Sequence, residues 1–133
     1  MNKKMIAKGT FDVTMQPQES AATGSGGIRL GRQKLTKSFD GDLNADSKGE
    51  MLTAFTTVEG SAGYVAIEQV EGTLKGKKGR FVLQHYGTMQ RGSEKLILEV
   101  VPDSGSGELE GINGSMEISV TENIHRYTFT YEL

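Results

Sequence analysis

The chain has 133 residues, room for one domain with its own hydrophobic core, and a formal charge of -2 with acidic and basic residues interspersed. That balance lacks the basic stripe that a nucleic-acid partner requires, and no segment approaches the ~20 apolar residues of a membrane helix. The absence of cysteine excludes a disulfide scaffold, a thiol nucleophile and a thiolate metal site.

The start, MNKKMIAKGTFDV, has no apolar run long enough for a signal peptide, so a cytoplasmic protein is expected. Its alternation places Ala7, Gly9, Phe11, Val13 and Met15 on one face of a first strand. A polar loop from Gln16 to Gly27 follows; its TGSGG lacks the strand–turn–helix context of a phosphate-binding loop. The second strand is predicted over Ile28–Phe39 and the third over Met51–Thr57, with FDGDLNADSKGE read as the turn region between them.

Gly63 to Met89 reads as two strands joined by a Gly/Lys turn, and it carries the chemistry. Alternation groups Tyr64, Ala66, Glu68 and Val70 on one face, and Phe81, Leu83 and His85 on another. If both faces turn inward, a carboxylate and an imidazole enter an apolar interior together, where each needs a partner. Glu68 and His85 can be read as an acid/base couple, or as a satisfied pair that fixes strand register.

The sixth strand, Lys95–Val101, is apolar on both faces, which points to a homodimer or trimer covering the outer side. After PDSGSG comes a short extended piece, Glu108–Ile112, then Asn113-Gly114, read as a hairpin turn rather than a glycosylation acceptor. Strands are predicted over Ser115–Val120 and His125–Leu133, the latter aligning His125, Tyr127, Phe129 and Tyr131.

Two histidines cannot supply a three-histidine metal site, and no cofactor motif is present. Tyr64, Phe81, Glu108 and Tyr131 are the candidate ligand contacts beside Glu68 and His85. The expected architecture is all-β, a single eight-stranded antiparallel barrel over residues 1–133, because closure removes the exposed sheet edges.

The segments GYVAIEQVEGTLKGKKGRFVLQH, VVPDSGSGELEGINGSMEI, HRYTFTYEL and FDGDLNADSKGEML, taken in that combination, resemble the bacterial family catalogued as domain of unknown function 3224. The resemblance implies a barrel similar to those of allene oxide cyclase and dirigent proteins, which bind hydrophobic or phenolic small molecules. Gly9-Thr10-Phe11, without tryptophan, departs from the lipocalin pattern. The functional expectation is binding of a small hydrophobic molecule in the barrel. The alternatives are an isomerase or cyclase using Glu68 and His85, and a structural or interaction protein with a filled interior.

Overall fold

A computed structural model describes residues 3–133, so the first two residues of the N-terminal segment lie outside it. The described residues contain nine strands and no helix: β1 (Lys4–Gln18), β2 (Arg29–Gly41), β3 (Leu43–Phe55), β4 (Ala62–Leu74), β5 (Lys77–Gln90), β6 (Ser93–Val100), β7 (Ser106–Gly107), β8 (Asn113–Thr121) and β9 (Ile124–Glu132). Consecutive antiparallel pairings run from β1 to β6, then β6–β8, β8–β9 and β9–β1. The circle closes on eight strands. The two-residue β7 is an addition beside β5, pairing at Gly79 and Arg80 beyond the reach of β6.

Three tight hairpins hold the register. Lys75-Gly76, Arg91-Gly92 and Glu122-Asn123 each have two central residues with positive φ, the turn whose twist matches a right-handed β-ribbon. The third of these, rather than Asn113-Gly114, makes the hairpin between β8 and β9. Asn113 and Gly114 open β8 instead, because the chain that reaches them is a run of turns with no strand to fold back on.

Two other sequence expectations shift for physical reasons. β3 starts at Leu43, eight residues before the predicted Met51, and only Asp42 separates it from β2. Its first half alternates buried Leu43, Ala45 and Ser47 with exposed Asn44, Asp46 and Lys48, so small inward residues disguised a strand as a turn region. Glu108–Ile112, read as extended, is a succession of turns whose Leu109 and Ile112 are buried among the barrel's core residues.

These two residues join Phe39, Phe81, Phe129, Tyr127 and Tyr131 in a core that fills one end of the barrel. At that closed end the Tyr127 hydroxyl donates to the Asp40 carbonyl at 2.9 Å and accepts from the Leu43 amide at 2.9 Å, clamping the β2–β3 corner. Tyr127→Phe unpairs a buried amide and is expected to cost about 2 kcal/mol in urea unfolding. An unchanged midpoint would show that the corner holds without the clamp.

Candidate functional site

Four neighbouring strands each send one polar side chain inward above this core: Lys37 from β2, Ser47 from β3, Glu68 from β4 and His85 from β5. All four are buried. Ser47 Oγ donates to Glu68 Oε1 at 2.7 Å, and Lys37 Nζ donates to Glu68 Oε2 at 2.8 Å. His85 Nε2 bonds to that same oxygen. Lys37 Nζ also lies 5.0 Å from the ring centroid of Phe11 and 5.8 Å from that of Phe39, so aromatic faces cover its remaining side.

Lys37 must cross β3 to reach a carboxylate on β4. Gly49 stands directly opposite Glu68 in the β3–β4 pairing and leaves that line of approach clear. It also lets the strands come so close that a Cβ there would sit 2.0 Å from the Ile67 carbonyl oxygen.

Burial alone would push the Glu68 carboxyl up. The His85 hydrogen bond and the Lys37 charge outweigh it and hold the group at about 2, against an ordinary 4.5. Near neutral pH Glu68 is therefore a fixed anion and a poor proton acceptor, since an efficient general base titrates near its working pH. An ionised carboxylate only accepts hydrogen bonds, so Nε2 of His85 carries the proton between them. Nδ1 of His85 has no protein partner, yet no sealed polar side-chain atom among the described residues goes unpaired. Nδ1 therefore keeps some contact with solvent although His85 as a whole is buried.

Above this network the inward positions open. Cross-strand pairing aligns Gly31, Thr53, Tyr64, Gly87 and Leu96 in one row around the bore. Three of these are glycine or threonine, and the Tyr64 ring lies over Gly87 with its centroid 6.5 Å from that of His85. Burial, then Glu94 and Glu68, pushes the Tyr64 hydroxyl above its ordinary range, so it stays protonated. Inward-facing Met15, Leu96 and Val120 are 50%, 38% and 61% exposed, whereas the corresponding positions lower in the same strands are sealed.

The sequence candidates are thus divided between levels. Glu68, His85 and Tyr64 meet at the open half. Phe81 and Tyr131 lie in the packed core, both stacked on Phe129, where a ligand has no room. Glu108 is exposed at the closed end and accepts a hydrogen bond from the Lys78 amide at 3.0 Å, covering the β5 edge. Lys37 and Ser47 were missed, although the alternation Leu35-Lys37-Phe39 carries the signal that marked Glu68, a charge on an apolar face. No group of three or more potential metal-ligating side chains occurs among the described residues.

A concavity lies on the outer side of the barrel wall. This cleft of about 820 Å³ is walled by Glu19–Ala22 and floored by the outward side chains of Leu30, Leu52, Val65 and Tyr86. Its lining contains none of Lys37, Glu68 and His85, but it includes Gly31, Thr53, Tyr64 and Gly87 of the row described above.

Comparison with known proteins places this geometry in a lineage. The profile of the family described as "Protein of unknown function (DUF3224)" matches residues 7–131. The chain is also similar to a crystal structure of a protein with unknown function from that family, from Shewanella oneidensis MR-1. The two are 53% identical, with 98% of this chain and 97% of that chain covered and a TM-score of 0.91. No curated protein matches the sequence.

Proposed function

This chain belongs to the DUF3224 family of proteins of unknown function, and from that premise we propose that it binds a small apolar molecule in the open half of its barrel. The observation that carries this reading is the change along the bore from sealed core to exposed apolar lining directly above a buried charged network. Ligand sites of this kind combine apolar walls with a few fixed polar groups.

The lining supports that reading in detail. Met15, Met51 and Met89, three of the six methionines, occupy inward positions in the upper rows, and thioether side chains adapt to ligands of varied shape. Gly31, Thr53 and Gly87 widen the bore beside Tyr64. His85 Nδ1 supplies one hydrogen-bonding atom at the floor, so the preferred ligand has an apolar body and a single polar end. The fixed charge state of Glu68 favours orientation of such a ligand over proton exchange with it.

Titration of methyl-labelled protein with the dye anilinonaphthalene sulfonate, an aromatic body with one anionic end, tests this by NMR. The expected result is saturable shifts at Met15, Met51 and Met89, with Met116 in the sealed core unmoved. Absence of saturable binding, or shifts confined to residues of the outer cleft, would overturn the proposal.

A further inference from the structure

We propose that the outer face of β2–β6 is a self-complementary interface for a second copy of this chain, related by a two-fold axis running along β4. This goes beyond the ligand site and does not depend on it. The face carries Leu52, Val65, Ile67, Tyr86 and Ile97, each outward and between 42% and 55% exposed. Exposed apolar clusters of this extent on a sheet mark association surfaces.

The register orders these residues into two lines across five strands. One reads Arg32, Leu52, Val65, Tyr86, Ile97 from β2 to β6. The next, toward the closed end, reads Lys34, Glu50, Ile67, Gln84, Glu99. A two-fold axis along β4, in the plane of contact, exchanges β3 with β5 and β2 with β6 while preserving each line. Such an isologous contact brings every residue against its symmetry counterpart.

The outcome is complementary along both lines. Val65 and Ile67 meet the partner's Val65 and the partner's Ile67 on the axis. Leu52 meets the partner's Tyr86. Lys34 meets the partner's Glu99, and the symmetry makes this ion pair twice. Arg32, already paired with Glu50 at 3.1 Å, brings no unbalanced charge to the partner's Ile97. The neighbouring axes fail this test. Along β3, Lys34 would face the partner's Ile67; along β5, Ile67 would face the partner's Glu99. The outer cleft then receives the partner's Ile97 against its Glu19–Ala22 wall.

Light scattering and targeted crosslinking test the geometry. The wild-type chain should have a dimer mass at micromolar concentration, and Ile67→Asp should be monomeric with an unchanged circular dichroism spectrum. Lys34→Glu should weaken the dimer by about tenfold or more, and Lys34→Glu with Glu99→Lys should restore it. Ile67→Cys, on the axis, should oxidise to an intermolecular disulfide, whereas Thr36→Cys, off it, should not. A monomeric wild type, a trimer, or a dimer that survives Ile67→Asp would overturn the proposal. So would failure of the charge swap to rescue.

Discussion

Glu68→Gln is expected to lower the unfolding free energy at neutral pH by about 3 kcal/mol, because it leaves the buried Lys37 ammonium without its counter-ion. The dependence on pH has a definite sign. Glu68 is held at about 2 in the fold against an ordinary 4.5, so its contribution is fully present above 4.5 and is lost as pH falls toward 2. Urea unfolding of wild type and variant across that window should show their difference shrinking as acid is added. A constant difference would assign the loss to packing rather than to charge. Apolar replacement of the whole network, Lys37→Met, Ser47→Ala, Glu68→Leu and His85→Leu together, is expected to fall within about 1 kcal/mol of wild type or to exceed it, since no member is then left buried without its partner. Stability near wild type with dye binding lost would mean that the network serves the open half of the barrel more than the fold.

Gly49→Ala should be the more severe of two superficially equal substitutions. Alanine normally gains a few tenths of a kcal/mol or more over glycine where the backbone accepts it, by restricting the unfolded chain. At Gly49 the new Cβ would stand 2.0 Å from the Ile67 carbonyl oxygen and 2.6 Å from Glu68 Cα, both main-chain atoms. The strands must separate at the point where Lys37 crosses to its carboxylate. The expected cost is about 3 kcal/mol, in the upper range for an overpacked core. Gly63→Ala, whose nearest contact would be 3.7 Å away, should be neutral or slightly stabilising. Comparable denaturation midpoints for the two variants would refute the close β3–β4 approach as a constraint on the site.

The architecture was legible because two-residue alternation is a strong local signal, and Glu68 and His85 stood out as charges interrupting apolar faces. Lys37 carried the same mark between Leu35 and Phe39, but its significance depends on reaching across β3, which pairing rather than spacing reveals. Gly49 looked like a turn residue in sequence, since a glycine that permits close strand approach and one that permits a turn are spelled alike. Asn113-Gly114 misled for the complementary reason. A turn motif acts only where strands lie on both sides, and the residues before it are committed to sealing the closed end through Leu109 and Ile112. The level at which each inward residue sits, which separates Phe81 and Tyr131 from Tyr64, follows from long-range register and has no local signature.

The circle of strands is not equally stitched all round. β6 and β8 share only the Glu99–Ser115 pair, whereas every other neighbour in the ring is zipped over eight residues or more. Toward the open end, Ser93–Leu98 and Met116–Thr121 run past each other without a ladder. Such a slit is where a cylinder breathes: amides on its two lips should exchange with deuterium far sooner than those of β3 and β4, through openings well short of global unfolding. Because Leu98 pairs with His85, each such opening would bare the flank of the buried network while the opposite wall stays shut. A molecule too bulky to enter along the bore would have a sideways route, with a rate set by the fluctuation of two strands.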